Sequence, residues 1–255
     1  MTLLRLSLAL LLILATPALA GPPAPGARFD IQLQAPMAFG APLEAFELDP
    51  DEVNAAEVAD LNRRGVYTIC YVSVGTAEEW RADFDQFPPE VLGREYDDWP
   101  GEFFLDARRT DLLLPLMVAR FQRCRAMGFD AIEADNIDLP GQASGFPLSR
   151  RDVVAYVSKL AQSAHAMGLG LGQKNFPEAI TALSPLLDFA VVESCFAQGW
   201  CNAEAPYIAR GKPVFAIEYA VPAAKQPGLC AEAARQKISL VFKTLDLTAE
   251  GTGCP

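Results

Sequence analysis

The chain has 255 residues, of which 51% are hydrophobic, and its 21 Lys and Arg against 32 Asp and Glu give a net charge of −11. The apolar content and the lack of a sustained heptad pattern exclude a disordered chain, a collagen-like chain and a coiled coil. The single histidine, His165, excludes Ser-His-Asp catalysis elsewhere and sites with several histidine ligands. The negative charge argues against nucleic acid as a partner.

Residues 1–20 are typical of a secretory signal peptide. Arg5 precedes a leucine-rich run at 6–15, and the segment ends in Ala18-Leu19-Ala20, which puts small residues where a signal peptidase cuts. We expect cleavage after Ala20 and export to the periplasm or the medium. The loss of Arg5 from the 21 basic residues would leave a mature net charge of −12. An uncleaved anchor is the alternative, although the run is short for a membrane span. No membrane contact is expected after cleavage.

Short apolar segments alternate with amphipathic ones after a Pro- and Gly-rich leader at 21–28. Strands are predicted at 29–34, 45–48, 67–73, 129–134, 168–173, 189–193, 213–219 and 238–245. Helices are predicted at 51–64, 110–127 and 149–167, with N-caps at Asp51 and Ser149 and helix ends at Gly65, Gly128 and Gly168.

Strands that alternate with helices predict a parallel sheet. The strand number and chain length favour an α/β fold of the (β/α)₈ TIM-barrel type, with a single domain at 29–255. An open doubly wound sheet is the alternative. It is disfavoured because no GxGxxG motif follows the first strand.

The chain has an even number of cysteines, six, which suits disulfides in an exported protein. Six cysteines allow 15 pairings. Cys195 and Cys201 are close enough for a local loop. A Cys230–Cys254 pair would tie down the C-terminal segment and would leave Cys70 with Cys124. A metal site is the alternative, but the sequence has no CxxC pair and one histidine.

Acidic and amide side chains follow the predicted strands, and in a barrel these strand ends form one mouth. Burying several carboxyl groups together is costly and is tolerated mainly at sites that use them. Asp135 and Glu193 are the best-placed pair, because each closes an apolar strand, and their backbones are expected about 10 Å apart. Two such groups, one protonated and one ionised, are what glycoside hydrolysis requires. Retaining and inverting separations both stay open.

Each acid also has a simpler interpretation, since Asp135 or Asp138 could cap the following helix. Aromatic side chains that could stack on sugar rings share the same loops and strand ends. They are Tyr71, Trp80, Trp99, Phe196, Trp200 and Tyr219.

Several segments, in order, resemble one known family. They are 71–81 (YVSVGTAEEWR), 99–106 (WPGEFFLD), 129–138 (FDAIEADNID), Lys174-Asn175, Glu193 with Cys195 and Cys201, and Glu218-Tyr219. Across residues 29–219 the chain is similar to glycoside hydrolase family 114, the endo-α-1,4-polygalactosaminidases. It departs from the family pattern at Phe103-Phe104, where Trp is usual, and at Ser194, where Gln is usual.

The resemblance implies a (β/α)₈ barrel that hydrolyses α-1,4-linked galactosamine polymer, with Asp135 and Glu193 as catalytic acids whose individual roles are open. The implied substrate-binding residues are Tyr71, Ser73, Glu102, Asp106, Asn136, Asp138, Lys174, Asn175, Glu218 and Tyr219. The expected partner is a cationic or partly acetylated amino-sugar polysaccharide, which an acidic protein would attract. No cofactor or metal is expected, and the protein is expected to be a monomer.

Two other interpretations compete with a hydrolase. The first is a barrel that binds an amino-sugar polymer without cleaving it. The second is a structural Ca²⁺ site formed by Glu133, Asp135 and Asp138, although these acids lack EF-hand spacing.

Overall fold

A computed structural model describes residues 21–254 of the chain, so the predicted signal peptide and its cleavage point lie outside the described residues. The strands are β1 (Phe29–Gln32), β2 (Ala45–Leu48), β3 (Tyr67–Ser73), β4 (Thr76–Glu78), β5 (Leu92–Tyr96), β6 (Trp99–Leu105), β7 (Ala131–Asp135), β8 (Gly170–Lys174), β9 (Phe189–Glu193), β10 (Val214–Tyr219), β11 (Ser239–Lys243) and β12 (Thr252–Gly253). The α-helices are α1 (Ala55–Arg63), α2 (Thr110–Met127), α3 (Arg150–Ala166), α4 (Ile180–Leu183), α5 (Cys195–Gln198), α6 (Ala205–Ala209) and α7 (Gln226–Gln236). Short 3₁₀ turns lie at Phe84–Gln86, Pro89–Val91, Pro177–Ala179 and Cys201–Glu204.

Parallel strands form a barrel in the order β1-β2-β3-β7-β8-β9-β10-β11. The short β12 pairs antiparallel with β11. Its Gly253 also lies beside the backbone oxygen of Phe29 in β1, so β12 fills the seam between the first and last parallel strands. The predicted (β/α)₈ barrel is therefore confirmed, and the open-sheet alternative is wrong.

Alternate residues of each strand face the barrel axis. Toward the amino ends of the strands these inward-facing residues are apolar. Phe29 stacks on Phe215 with ring centroids 4.5 Å apart, and the ring of Phe189 packs beside them. Gly172 leaves room for that ring, since a Cβ at this position would lie 2.1 Å from Phe189. The outward-facing strand residues pack against the helices in a second, larger core.

The helix boundaries follow their capping residues. Ser149 caps α3 in a capping box with Asp152, as predicted. The prediction of Asp51 as a cap is wrong, because Asn54 caps α1 in a capping box with Glu57. Asp51 instead pairs with two arginine side chains, Arg81 and Arg123.

An antiparallel sheet in the order β4-β6-β5 follows the third barrel strand and was not predicted. The Pro100-Gly101 pair in β6 reads as a turn in sequence, and Gly101 does adopt a left-handed conformation with φ of 85°. The sheet is functionally relevant because it places Trp80, Trp99 and Glu102 beside the mouth of the barrel.

Three disulfides connect the secondary structure, and all three predicted pairs are confirmed. Cys70–Cys124 joins β3 to α2, Cys195–Cys201 closes the loop after β9, and Cys230–Cys254 joins α7 to the segment at β12. Within residues 21–254, each helix is too short or too polar to cross a bilayer.

Candidate active site

A cleft of about 1830 Å³ opens at the carboxyl ends of the barrel strands. Most of the predicted site residues line it: Tyr71, Glu102, Asp135, Asn136, Asp138, Lys174, Asn175, Glu193 and Tyr219. This is the face on which barrel enzymes carry their chemistry.

The pairing register arranges the inward-facing side chains in layers of four, each drawn from alternate strands. The layer at the mouth contains Asp49, Asp135, Glu193 and Lys243. The second layer contains Ile31, Tyr71, Lys174 and Ile217. The third and deepest of these layers contains Glu47, Glu133, Val191 and Val241. Lys174 thus lies between an acidic layer above it and two acids below it.

The Lys174 ammonium joins the two acids that the sequence singled out. Its Nζ lies 3.0 Å from Asp135 Oδ1, 3.2 Å from Glu193 Oε2 and 3.7 Å from Glu133 Oε1. Burial alone would lower the pKa of Lys174, but Asp135, Glu193 and Glu133 together raise it well above its usual range. Lys174 therefore stays charged and holds Asp135 and Glu193 on one crevice.

Asp135 is buried and receives three donors. The Tyr71 hydroxyl donates to Oδ2 at 2.8 Å, and Asn136 Nδ2 donates to the same oxygen at 3.2 Å. Lys174 Nζ donates to Oδ1 at 3.0 Å. Burial, followed by the charge of Asp135, raises the pKa of Tyr71 well above its usual range, so this tyrosine remains a donor. These three donors fix the orientation of the Asp135 carboxyl group.

Glu193 is more open to solvent, with 27% of its side chain exposed against 12% for Asp135. The Tyr219 hydroxyl donates to its Oε1. Burial and the charge of Glu193 raise the pKa of Tyr219, which keeps its proton. Asn175 Oδ1 accepts the backbone N–H of Glu193 at 2.9 Å and so fixes the strand end.

Glu102 reaches the cleft from β6 and links the small sheet to Asp135. Its Oε1 accepts bonds from Thr76 Oγ1 and from Asn136 Nδ2, the latter at 2.9 Å. Burial raises the pKa of Glu102 to about 7, with the charges of Glu78 and Asp135 adding to the effect and the Thr76 bond opposing it.

Left-handed backbone follows four consecutive barrel strands at the mouth. Asn136 has φ of 59°, Asn175 of 44°, Ser194 of 54° and Ala220 of 53°. Non-glycine residues rarely adopt this conformation, and clusters of them occur where a site holds its backbone in place. Ser194, one of the departures from the family pattern, lines the cleft.

Arg81 is a residue whose role the sequence did not reveal. Its guanidinium bonds to Glu78, Asp49 and Asp51 and lies 5.7 Å from the centroid of the Tyr71 ring. Arg81 therefore buttresses the tyrosine that donates to Asp135. The available signal was its place at the end of the 71–81 segment.

Ser73, Asp106 and Glu218 were expected at the cleft but do not line it. Ser73 Oγ bonds to Thr76, Asp106 pairs with Arg108 at 2.8 Å, and Glu218 accepts backbone N–H groups at the start of α5. Glu218 faces out of the barrel because its neighbour Tyr219 faces in. Phe103 and Phe104 also lie away from the cleft and pack on Phe84 and Tyr96 respectively.

Aromatic side chains form part of the cleft wall. Trp80 and Trp99 are 55% and 48% exposed, and Tyr96 and Trp200 also line the cleft. Exposed tryptophans of this kind are suited to stacking on sugar rings. Phe196, named from sequence in the same group, lies outside the lining.

The calcium interpretation fits this geometry poorly. Lys174 Nζ lies between Glu133 and Asp135, where a calcium ion would have to bind. Its positive charge already balances the negative charge of these acids. The group Cys195, Cys201 and Glu218 has the spacing of metal ligands, but both cysteines are joined in a disulfide and offer no thiolate.

Comparison with known proteins identifies relatives of this architecture. Residues 13–254 match the sequence model of glycoside-hydrolase family GH114. An uncharacterised protein of Deinococcus radiodurans is 29% identical over 224 residues, which span 77% of this chain and 70% of that protein.

Two solved structures share the fold over most of the chain. Aspergillus fumigatus Ega3, in complex with galactosamine, superposes with a TM-score of 0.86 at 31% identity and covers 91% of this chain and 97% of its own. The glycoside hydrolase domain of PelA from Pseudomonas aeruginosa has a TM-score of 0.70 at 18% identity, over 91% and 98% of the two chains. The second likeness extends to the fold alone.

Proposed function

This chain belongs to glycoside-hydrolase family GH114 and is a glycoside hydrolase, and we propose that it is an exported endo-acting enzyme that cleaves α-1,4-linked galactosamine-containing polysaccharide. The observation that carries the proposal is the bridge of Asp135 and Glu193 by Lys174 in an open cleft. An open cleft of about 1830 Å³ suits binding in the middle of a polymer.

The character of the cleft supports an amino-sugar substrate. Ega3, which is 31% identical to this chain, was solved with galactosamine. Beyond the proposed catalytic pair, acidic side chains line this cleft: Asp49, Asp51, Glu52, Glu78, Glu102, Glu133, Asp138, Glu178 and Asp246. Ammonium groups of a deacetylated galactosamine polymer would be attracted to them.

We assign Asp135 as the nucleophile and Glu193 as the acid and base. Asp135 is buried and oriented by three donors, whereas Glu193 is the more exposed of the two side chains and is open to solvent. In the first step Glu193 protonates the glycosidic oxygen while Asp135 attacks the anomeric carbon, which releases one product and leaves a glycosyl-enzyme ester. In the second step Glu193 takes a proton from water, whose oxygen attacks the same carbon and frees Asp135.

Substitution of each proposed acid tests the assignment. Asp135→Asn and Glu193→Gln are each expected to lower kcat on an α-1,4-galactosamine oligomer by about 1000-fold or more, because each removes a reacting group but little volume. Circular dichroism and thermal unfolding check that the fold is retained, and mass spectrometry detects the products.

Two exposed acids outside the cleft lining provide matched controls. Asp85→Asn and Glu90→Gln make the same chemical changes at exposed side chains, and we expect less than about a threefold change in kcat. Near-normal cleavage by either Asp135→Asn or Glu193→Gln would remove that residue from the chemistry. Binding of the oligomer by the wild-type protein without any product would favour a non-catalytic binding barrel.

Export is proposed from the signal-like segment at 1–20, with 21–28 as a leader and 29–255 as the catalytic domain. The three disulfides support it, because such bonds persist in oxidising compartments. N-terminal sequencing of the protein recovered from periplasm and medium should read Gly21 as the first residue.

A further inference from the structure

Two buried acids lie at the floor of the catalytic cleft, where Glu133 lines the cleft and Glu47 lies deeper in the barrel interior. Glu47 and Glu133 are 0% and 1% exposed and belong to the same layer of four side chains. Apart from the hydrogen bond between the two carboxyl groups themselves, no group within residues 21–254 donates a hydrogen bond to their carboxyl oxygens. Lys174 Nζ, 3.7 Å from Glu133 Oε1, is a cation close above them.

Two carboxyl groups this deeply buried and this close together cannot both be ionised, because each charge repels the other in a medium of low polarity. Burial, followed by the charge of Glu133 and hydrogen bonding with it, raises the pKa of Glu47 well above its usual range. Burial also raises the pKa of Glu133, but Lys174 opposes that rise. Because Glu133 is the member that faces the Lys174 ammonium, at 3.7 Å, the negative charge is favoured on Glu133 and the proton on Glu47.

We propose that Glu47 and Glu133 form a positioning pair that shares one proton and places a single negative charge beneath Lys174. This charge holds the Lys174 ammonium at the level along the barrel axis where it forms ion pairs with both Asp135 and Glu193. It also offsets part of the positive potential that Lys174 exerts on those two carboxyl groups. The inference rests on the proposed function, since it concerns how that site is held and tuned.

The pair faces a defined set of titratable groups. Lys174 on β8, Asp135 on β7 and Glu193 on β9 act on it directly. The tyrosines Tyr71 on β3 and Tyr219 on β10 feel the charge of Glu133 and stay protonated. A change of charge on the pair should therefore be read out at Asp135 and Glu193.

The two members of the pair should respond differently to substitution. In Glu47→Gln the amide remains neutral and donates to Glu133, as the protonated acid does, so kcat should stay within about threefold of wild type. Glu133→Gln removes the charge beneath Lys174 and is expected to lower kcat by about 10- to 100-fold with KM changed less than about twofold.

The pH profile separates positioning from mere packing. Without the charge of Glu133, the positive potential that Lys174 exerts on the two proposed catalytic carboxyl groups is no longer offset. Both limbs of the kcat/KM profile of Glu133→Gln should therefore move to lower pH, while those of Glu47→Gln stay in place. Glu204→Gln is the control, because Glu204 is equally buried, has a pKa raised by burial to about 8 and lies outside the cleft lining.

Infrared difference spectroscopy tests the shared proton without relying on activity. In a background that carries both Glu102→Gln and Glu204→Gln, the two other carboxyl groups whose pKa burial raises to about 7 and about 8 are absent. At neutral pH the carbonyl band of a protonated carboxylic acid should then be lost in Glu47→Gln and kept in Glu133→Gln. An unchanged band in Glu47→Gln would overturn the proposal even if the wild-type protein cleaves no polymer. Equal losses of kcat in both variants, with an unmoved pH profile, would also overturn it and leave only a structural role.

Discussion

At the scale of single residues, Lys174 sets the spacing of the two proposed acids. Because its Nζ bonds to Asp135 Oδ1 at 3.0 Å and to Glu193 Oε2 at 3.2 Å, these two oxygens lie no more than about 6 Å apart. Retaining glycosidases hold their carboxyl groups about 5–5.5 Å apart, and inverting ones need about 6.5–9.5 Å to admit a water.

This spacing predicts retention of configuration. Proton NMR during the first minutes of cleavage of an α-1,4-galactosamine oligomer should show the α anomer of the new reducing end before mutarotation produces the β anomer. An initial β anomer would show single displacement and would reassign Asp135 from nucleophile to base. The slow approach of purified product to its anomeric equilibrium supplies the reference.

The sequence predicts the proposed catalytic pair and, through the family resemblance, Tyr71, Lys174 and Tyr219 beside it, but it does not reveal Glu47 or Arg81. Asp135 and Glu193 are visible because each ends an apolar strand. Glu47 is hidden, since a single acid within the four-residue strand AFEL looks like a solvent-facing position. Glu218 illustrates the opposite error, because a shift of one residue along a strand moves a side chain to the other face.

At the scale of secondary structure elements, the corner between β3 and β4 positions the end of β7. Val74 and Gly75 both donate their backbone N–H to the carbonyl of Asp135, at 3.1 and 3.2 Å. A Cβ at Gly75 would lie 1.6 Å from the carbonyl oxygen of Asn136. Only glycine permits this approach, so the corner cannot accept a side chain without displacing Asp135.

Gly75→Ala is therefore expected to lower the free energy of unfolding by about 2–4 kcal/mol and to lower kcat by more than about tenfold. Urea denaturation and oligomer cleavage measure the two effects. Gly228→Ala is the matched control in α7, where a Cβ would contact nothing within 4 Å. There the helix should gain about 0.5–1 kcal/mol, and activity should be unchanged. A Gly75→Ala protein with wild-type stability would contradict the packing argument.

Secondary structure elements were predictable where a hydrophobic pattern extends over many residues. They were not predictable where the structure depends on which strands pair with each other. The eight barrel strands and the helices α1, α2 and α3 follow from their patterns, whereas the 11-residue α7 was not predicted because Pro227 and Gly228 interrupt its first turn. The β4-β6-β5 sheet depends on pairing around Pro100-Gly101, and the two residues of β12 carry no periodicity at all. The start of α1 was misplaced because an acid at position 51 resembles a cap, whereas tertiary ion pairs hold it.

At the scale of the whole molecule, net charge and cleft charge have the same sign. The chain carries a net charge of −11, and many acidic side chains line the cleft. A polycation approaching such a molecule is attracted from a distance and then focused into the cleft. Salt should weaken the first effect most, since it screens exposed charges.

Raising NaCl from about 20 mM to about 500 mM is therefore expected to increase KM for deacetylated galactosamine oligomer by about three- to tenfold, with kcat little changed. Initial rates at both salt concentrations measure this. Fully acetylated oligomer carries no ammonium groups and should show no such increase if it is cleaved. A KM for the deacetylated substrate that is independent of salt would mean that the negative charge serves solubility alone.

Closure of the barrel at β12 is expected to be a late step in folding. It brings together β1 and β12, segments on the order of 200 positions apart, so joining them carries the largest loss of chain entropy in the molecule. Until they meet, the open edges of β1 and β11 can template pairing with other chains. Oxidation of Cys230 with Cys254 holds β12 against α7 and so shortens the search for that final contact. An environment that oxidises thiols would therefore reduce self-association of the newly synthesised chain before the barrel closes.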